Sequence, residues 1–363
     1  MIDAVRGWLG ENVPGFSTDP DATGVILLAA DRHPEAKVTM LVLGEDGRPA
    51  AVVKVGRGWS SELALAAEHG VLVALHDTIR GPLSGEVPQA LAFGSVQGRL
   101  ALAQTPLAGA PLTTKYYTPG HVGNPALVAH DFAAVGGWLR RFRDETRAGG
   151  VVFDEDCFER WVGSVFSRYW YAFGRDAAEM ELLESLRVQS KSFHGCAIPL
   201  GGSHGDFAIA NILFDAGQVS GVVDWELGRL GVAPFADICK FPTSYSSYLD
   251  RAAPSRRGGV IGHSERDMIA ARWSRYGDWA NLHGIAYGFF GRGWFPSLVE
   301  SFVAEQLREL DVPRSMFRLF FAAFLAEQAM TLPDPVYRQG YRQVLQGFAV
   351  ERDSWLWREK VPS

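Results

Sequence analysis

The sequence predicts a mixed α and β protein, with an antiparallel sheet in its first part and a longer, mainly helical second part. Valine- and leucine-rich runs separated by turn residues dominate the chain before residue 105. Helical spacing of apolar residues dominates the remainder, and one short strand pair interrupts it. At 363 residues the chain exceeds the size at which one core usually stops growing. We therefore expect two lobes, residues 1–104 and residues 105–363.

Composition and charge are those of an ordinary folded protein. The chain is 47% hydrophobic, 12% aromatic and 21% charged, far from the composition of a disordered protein. A net charge of −6 disfavours nucleic acid as a partner. Cys157, Cys196 and Cys239 lack metal or redox spacing and are expected to be free thiols. We see no secretion signal or membrane-spanning run and expect a cytoplasmic protein without a membrane partner.

The first lobe is predicted to be a sheet with helices beside it. A turn containing Asp46-Gly47 joins two of its strands, since Asp-Gly is a strong hairpin signal. The predicted elements are a helix over residues 1–12, strands over 24–30, 37–43 and 49–55, a helix over 60–76, strands around 91–93 and over 99–104, and a connector over 105–111.

The second lobe is predicted to be helical around one small hairpin. Two short apolar runs, 212–214 and 219–223, flank the turn Asp215-Ala216-Gly217 and form that hairpin. The other predicted features are a helix over 129–146, an aromatic-rich segment over 158–173, a flexible insert over 252–263 and long helices from Met268 onward.

A dense polar cluster surrounds the predicted hairpin. Asp206 lies on the loop before its first strand, Asn211 at the start of that strand and Asp224 after the returning strand. A hairpin would bring all three side chains to one end. Phosphoryl transfer requires a carboxylate that accepts a hydroxyl proton, and oxygen ligands for Mg²⁺ on a nucleoside triphosphate. The cluster therefore predicts transfer of a γ-phosphoryl group to a hydroxyl.

Two motifs in this cluster resemble those of a known family. The segment from His204 to Asn211, His-Gly-Asp-Phe-Ala-Ile-Ala-Asn, is similar to the H-x-D-x-x-x-x-N catalytic loop of protein kinases. Its H-G-D form is typical of aminoglycoside phosphotransferases and choline kinases. The segment Val223-Asp-Trp-Glu226 resembles their metal-binding D-[FW]-E segment, and Ala233-Pro-Phe-Ala-Asp237 more loosely resembles their P-x-x-D element.

The resemblance implies a bilobal, protein kinase-like fold and a role for each matching residue. Asp206 would be the catalytic base, and Asn211 and Asp224 would be magnesium ligands. His204 and Asp237 would support the loop. The expected cofactors are Mg²⁺ and either ATP or GTP as phosphoryl donor.

Residues of the first lobe are expected to bind the nucleotide. Lys54 lies where the family's third strand presents a lysine to the α and β phosphates. Its acidic partner on the following helix is expected to be Glu68, with Glu62 as the alternative. Gln104 to Leu107 falls where such a fold joins its lobes, so backbone groups there would bind the nucleotide base.

One departure from the family pattern concerns the cover for the phosphates. The loop from Ala30 to Lys37 contains no glycine, whereas protein kinases have a Gly-rich loop there. Arg32, His33 or Lys37 would be alternative phosphate donors, although a surface turn is the simpler interpretation. A non-catalytic nucleotide-binding or scaffold protein of the same fold therefore stays as the alternative function.

The acceptor is predicted to be a small molecule. No segment ending in A-P-E follows Asp224, which disfavours a peptide and hence a protein kinase. An aminoglycoside-like antibiotic, a sugar or an amino alcohol would supply the hydroxyl, and Glu226 or Glu327 would hold an amine of the first. Aromatic residues of the C-terminal part would either wall an acceptor pocket or, more simply, form core: Tyr245, Tyr248, Trp273, Tyr276, Trp279, Phe289, Phe290 and Trp294. The sequence leaves the acceptor, the nucleotide and the oligomeric state open.

Overall fold

The computed structural model describes residues 1–19, 23–30, 36–249, 253–254, 260–261 and 282–358. An antiparallel sheet with adjacent helices comes first in the chain, and a mainly helical part follows. The predicted α+β class is thereby confirmed. The division at residues 104 and 105 stays a prediction.

The first part contains a five-stranded antiparallel sheet with strand order β1-β2-β3-β5-β4. The turn between β2 and β3 places Gly47 at φ 72°, where glycine is favoured, as the Asp-Gly signal predicts. The elements are α1 (Ile2–Asn12), β1 (Val25–Ala30), β2 (Val38–Leu43), β3 (Pro49–Val55), α2 (Trp59–Thr78), β4 (Ala90–Val96) and β5 (Arg99–Gln104).

The two faces of this sheet meet different helices. Alternate residues of β3, including Ala51 and Val53, pack with Val5 and Leu9 of α1 in one apolar cluster. The opposite face of β3 presents Lys54 toward α2. The strand period therefore puts one charged residue on the side of the sheet that carries the site.

Helices make up most of the second part, with short strands between them. Its helices are α3 (Pro125–Glu145), α4 (Glu155–Phe158), α5 (Ser164–Phe173), α6 (Ala177–Ser190), α7 (Phe235–Ser246), α8 (His283–Phe290), α9 (Trp294–Glu309), α10 (Phe317–Thr331) and α11 (Pro335–Val350). Its strands are β6 (Ala110–Pro111), β7 (Gly150–Val152), β8 (Ala197–Pro199), β9 (Gly201–Ser203), β10 (Ile212–Asp215), β11 (Gln218–Val222), β12 (Arg229–Val232), β13 (Ala253–Pro254) and β14 (Val260–Ile261).

Helix α3 begins earlier than the predicted start at residue 129. The Asn124 side chain caps it by accepting hydrogen bonds from the amides of Ala126, at 3.0 Å, and Leu127, at 3.4 Å. Pro125 occupies the first helical position, where its missing N–H costs nothing. The capping residues, rather than the first apolar residues, therefore set this boundary.

The predicted hairpin is present and forms the centre of the site. Strands β10 and β11 pair antiparallel, and Ala216 and Gly217 form their turn with φ of 47° and 81°. Strand β6 pairs with the other edge of β10, while β9 pairs with β12. These pairings bring the segments before β10 and after β11 side by side.

A large apolar core lies beneath the hairpin. Trp138 of α3 stacks on Phe142 and Phe207, with ring centroids 5.0 Å and 5.4 Å apart. Trp225, which follows Asp224, is fully buried against the same group. The loops that carry the polar residues are therefore anchored in packed aromatic side chains. Among the described helices, none is both long and apolar enough to cross a membrane.

The insert predicted over residues 252–263 falls mostly outside the described residues. Within it, Ala253–Pro254 and Val260–Ile261 pair as two antiparallel strands. All three cysteines are free thiols; Cys157 and Cys239 are buried and Cys196 is half-buried.

Candidate active site

The end of the β10–β11 hairpin brings three of the predicted site residues together. Asn211 immediately precedes β10, and Asp224 follows β11 by two residues. The amide of Val223 donates a hydrogen bond to the Asn211 carbonyl at 2.9 Å, which continues the strand pairing beyond the hairpin. The backbone that carries Asn211 is thus fixed beside the backbone that carries Asp224.

Asn211 also fixes the loop that presents Asp206. Its Nδ2 donates to the backbone oxygen of Asp206 at 3.0 Å and to Oδ2 of the same residue at 3.1 Å. Because the amide nitrogen is used in this way, Oδ1 is the atom of Asn211 suited to a cation. The Asp206 side chain is 36% exposed, so a ligand has access to it.

His204 and Asp237 hold the backbone of the same loop. The buried Asp237 carboxylate accepts hydrogen bonds from the amides of His204, at 2.8 Å, and Gly205, at 2.9 Å. Nδ1 of His204 accepts from the Asp206 amide at 3.2 Å, which leaves Nε2–H to donate to the Val223 carbonyl at 2.9 Å. Burial raises the pKa of Asp237 above its ordinary value, against the effect of these N–H donors.

Glycine is required between His204 and Asp206. Gly205 has φ 79°, a conformation that L side chains rarely adopt. A Cβ atom there would lie 2.4 Å from the carbonyl oxygen of Leu227. The H-G-D form of the motif therefore follows from the close approach of the segment after Asp224.

Asp224 lies in a strained backbone conformation. Its φ of 72° and ψ of 60° place it in the left-handed region, which Asp and Asn tolerate better than other non-glycine residues. The next residue, Trp225, is fully buried and donates from Nε1 to the Val222 carbonyl at 2.8 Å. The buried tryptophan holds the turn, and the turn directs the carboxylate toward the sheet.

Five charged side chains form an alternating chain across the site. Lys54 contacts Glu68 at 2.5 Å and Asp224 at 3.1 Å. Lys37 contacts the same oxygen of Asp224 at 2.5 Å and Glu226 at 2.5 Å. The chain runs Glu68–Lys54–Asp224–Lys37–Glu226 and carries one net negative charge.

The charges of this chain stabilise one another. Burial opposes the ionised form of Asp224, but the nearby ammonium groups of Lys54 and Lys37 outweigh it and hold the pKa of the carboxyl well below its usual range. Burial likewise works to lower the pKa of Lys37, but the charges of Asp224, Glu68 and Glu226 raise it above its ordinary value. Both groups are therefore charged at neutral pH.

Helix α2 places Glu68, rather than Glu62, against Lys54. Glu68 is fully buried on the inner face of the helix, whereas Glu62 lies in its first turn. The Glu62 carboxylate instead accepts from the Leu100 amide at 3.4 Å.

The joint between the two parts begins at Gln104, the last residue of β5. Gln104 is buried, and its Oε1 has no hydrogen-bond partner among the described residues. Leu107 lies over the backbone of Gly221, where a Cβ atom would approach it to 2.5 Å. The structure thus places Leu107 against the hairpin and Gln104 at the end of β5, and their contact with a nucleotide base stays a prediction.

The two acids expected to hold a substrate amine, Glu226 and Glu327, both lie near basic side chains. Glu226 is paired with Lys37, and the half-exposed Glu327 lies 3.8 Å from Arg168. Each acid thus has a cationic neighbour within the chain, which weakens the idea that they hold a substrate amine. Arg32 and His33 lie outside the described residues.

The predicted aromatic residues of the C-terminal part that can be described are mostly core. Tyr245, Phe289 and Phe290 are buried, and Tyr248 and Trp294 are half-buried against the same core. Trp273, Tyr276 and Trp279 lie outside the described residues.

Sequence reasoning missed Lys240. Its Nζ lies 2.7 Å from Oδ1 of Asp206 and 3.1 Å from Oε1 of Gln328. Lys240 follows Asp237 by three residues on α7, so the two side chains share one face of the helix. That spacing from a loop-supporting residue is a local signal that would have pointed to it.

The donor set fits a magnesium ion. Within the described ranges, no group of three or more His, Cys, Asp or Glu side chains is arranged to hold a metal. Mg²⁺ needs no such cage, since it usually takes one or two protein oxygen ligands together with water and phosphate oxygens. Asn211 and Asp224 supply that number, and the two ammonium groups at Asp224 show that its carboxylate attracts cations.

These features define a class of protein. The site holds an accessible carboxylate beside an amide, a second carboxylate and two lysines. Such a set of groups is suited to phosphoryl transfer, in which the protein positions the reactants and stabilises charge without forming a covalent bond to them. A comparison with family models agrees, because the model of the phosphotransferase enzyme family matches residues 36–256. The chain belongs to this family and is a phosphotransferase.

Two solved structures are similar along nearly their whole length. The GDP complex of a variant of aminoglycoside 2'-phosphotransferase-IIIa is 13% identical with a TM-score of 0.48, covering 96% of this chain and 97% of that one. The macrolide 2'-phosphotransferase MphH from Brachybacterium faecium is 14% identical with a TM-score of 0.45, covering 94% of this chain and 97% of that one. A comparison with curated proteins found no match.

Proposed function

We propose that the protein transfers the γ-phosphoryl group of ATP or GTP to a hydroxyl of a small molecule, with Mg²⁺ as cofactor. The observation that carries the proposal is the end of the hairpin, where accessible Asp206 lies beside Asn211 and near a second carboxylate held by two lysines. Such positioning and charge are what phosphoryl transfer requires of a protein.

Asp206 acts as the base in this proposal. The hydroxyl oxygen of the acceptor attacks the γ phosphorus, and the bond from that phosphorus to the bridging oxygen breaks. Its electron pair leaves on the nucleoside diphosphate. The hydroxyl proton passes to the Asp206 carboxylate, so the products are a phosphomonoester and a nucleoside diphosphate. The Asn211 amide donates to the carboxylate, and His204 accepts from the backbone amide of Asp206, so the carboxylate is oriented before the acceptor binds.

Asn211 and Asp224 are the proposed magnesium ligands. When bound, Mg²⁺ would neutralise phosphate charge and hold the triphosphate in place. The short Lys37–Asp224 contact provides a counter-charge at the carboxylate when no metal is bound.

Lys54 and Lys37 are the proposed phosphate contacts of the first lobe. Glu68 holds the Lys54 ammonium on the inner face of the sheet, directed at Asp224. Lys37 precedes β2 and supplies a point charge in place of the amides of a Gly-rich loop. We assign residues 1–104 to the nucleotide lobe, with backbone groups from Gln104 to Leu107 at the base, and residues 105–363 to the catalytic and acceptor lobe.

The acceptor is proposed to be an aminoglycoside-like antibiotic, a sugar or an amino alcohol. The accessible Asp206 is the point at which its hydroxyl docks. We place the enzyme in the cytoplasm, where nucleoside triphosphates are available.

Label transfer tests the proposal. The protein is incubated with Mg²⁺ and γ-labelled ATP or GTP, and separately with kanamycin A, erythromycin, choline and glucose. We expect label in one organic product whose mass rises by one phosphoryl group, and no product without Mg²⁺. Slow release of inorganic phosphate from either nucleotide is expected in the absence of acceptor. A protein that binds neither nucleotide and releases no phosphate would contradict the proposal.

A further inference from the structure

Lys240 lies at the proposed reaction centre but on the side away from the nucleotide lysines. It projects from α7 of the helical part, whereas Lys37 and Lys54 come from the sheet. Its side chain is only 12% exposed, and its Nζ contacts Oδ1 of Asp206 at 2.7 Å. Oδ2 of Asp206 accepts a hydrogen bond from the Asn211 amide instead, so the two carboxylate oxygens have different partners.

The second contact of Lys240 fixes its position. Gln328 of helix α10 (Phe317–Thr331) accepts from Nζ at 3.1 Å through Oε1. Placing a cation in a largely buried position is costly unless it is paired, and the Asp206 carboxylate pairs with this one. An ammonium group has three N–H donors, so besides its contacts with Gln328 and Asp206 it can donate to an oxygen of a bound ligand.

The surroundings of Asp206 on this side come from three helices. Besides Lys240 on α7 and Gln328 on α10, Tyr341 of helix α11 (Pro335–Val350) lies near enough to respond to the Asp206 charge. Burial first, and then that charge, raise the pKa of the Tyr341 hydroxyl. Among the described residues, Lys240, Gln328 and Tyr341 therefore lie around Asp206 on this side.

We propose that Lys240 is a catalytic residue, which orients Asp206 and donates a hydrogen bond to the transferring phosphoryl group. The inference rests on the proposed function. A hydroxyl that donates to Oδ1 of Asp206 at normal hydrogen-bond length lies within about 5 Å of the ammonium. Charge on the phosphoryl oxygens in the transition state is stabilised by fixed cations at this range.

The test compares Lys240→Met, which removes the charge but keeps the length, with Lys240→Arg, which keeps the charge. The control is Lys191→Met, an exposed lysine in the turn that follows α6 (Ala177–Ser190). Turnover is measured with MgATP or MgGTP and the acceptor that the label-transfer experiment identifies. In the absence of an acceptor, turnover is measured as the release of inorganic phosphate from the same nucleotides. Nucleotide affinity is measured on the same samples by calorimetry.

We expect Lys240→Met to lower kcat by about 100-fold, the scale of losing one fixed electrostatic donor, while nucleotide KM and affinity change less than about threefold. Lys240→Arg should recover at least about tenfold of that loss, because it restores a cation. Lys191→Met should match the wild type. Lys240→Gln serves in the same comparison if Lys240→Met does not fold.

Two results would overturn the inference. One is a Lys240→Met or Lys240→Gln enzyme with kcat within about threefold of wild type. The other is a loss that Lys240→Arg does not recover at all. Both results count only if Asp206→Asn lowers turnover in the same assay. If the proposed function is wrong, the wild-type protein itself shows no phosphoryl transfer, and the two failures are thereby distinguished.

Discussion

The buried pair between Lys54 and Glu68 supports a quantitative prediction. Glu68→Gln removes the charge of a fully buried carboxylate that lies 2.5 Å from an ammonium which is itself 6% exposed. Removing one partner of a buried pair typically costs about 3–5 kcal/mol, because the other charge is left uncompensated. Lys54 keeps Asp224 at 3.1 Å, so its charge is not left unpaired. We therefore expect a loss of about 2–3 kcal/mol, below that range.

The same substitution should also reduce catalysis by the molecules that remain folded. Without Glu68, the Lys54 ammonium is held by Asp224 alone, and it competes there with the proposed metal. We expect kcat/KM to fall by about 30-fold or more, which corresponds to about 2 kcal/mol of transition-state stabilisation.

Urea unfolding at pH 7 and steady-state turnover measure the two effects. Glu62→Gln is the matched control, since Glu62 lies on the same helix and its carboxylate accepts the longer hydrogen bond from the Leu100 amide at 3.4 Å. Its unfolding free energy should change by less than about 0.5 kcal/mol. If Glu68→Gln were no more destabilised than Glu62→Gln and equally active, the reasoning about the pair would be refuted.

Three further predictions follow from other contacts in the chain. Asp224→Ala should abolish the Mg²⁺ dependence of nucleotide binding in calorimetry with and without the metal; unaltered dependence would move the metal site elsewhere. Lys37→Met should lower, severalfold, the Mg²⁺ concentration for half-maximal turnover, because the ammonium 2.5 Å from Asp224 no longer competes; a higher requirement would contradict this. Asp131 is fully buried and contacts Lys115 at 2.5 Å, His121 at 2.7 Å and the Tyr245 hydroxyl at 3.1 Å. Burial opposes its charge, but hydrogen bonds from His121 and Lys115 hold its pKa below the ordinary value, so its contribution to stability is present above about pH 4 and lost as pH falls below it. Asp131→Asn should therefore cost about 2–4 kcal/mol in urea at pH 7 and clearly less at pH 3; an equal cost at both values would be inconsistent with the shift.

The sequence predicted the parts of the site that local patterns determine. The apolar runs around Asp215-Ala-Gly217 placed the hairpin, and the motif spacing put Asp206, Asn211 and Asp224 at one end of it. The sequence pattern also indicated Glu68 as the partner of Lys54. The buried face of α2 consists of Ser61, Leu65, Glu68, Leu72 and Leu75, so an acid stands within an apolar stripe of helical period.

Contacts between distant segments were not predictable in the same way. Lys37 and Asp224 are 187 residues apart, and no local pattern brings the first strands onto that turn. The expected surface turn lies mostly outside the described residues, but Lys37 at its end pairs with Asp224 and Glu226. Lys240 meets Asp206 and Gln328 only because α7 packs beside α10, and 88 residues separate Lys240 from Gln328. Helix period gives the face of each side chain but not the neighbouring helix.

In the proposed reaction, Asp206 takes the proton of an acceptor hydroxyl at the end of the hairpin. The most direct test measures kcat for phosphoryl transfer and the affinity for MgATP and MgGTP on the same preparation of Asp206→Asn. We expect kcat to fall by about two orders of magnitude or more, while nucleotide affinity and the urea midpoint stay near those of the wild type. An Asp206→Asn enzyme that keeps most of the wild-type turnover on the same acceptor would contradict it.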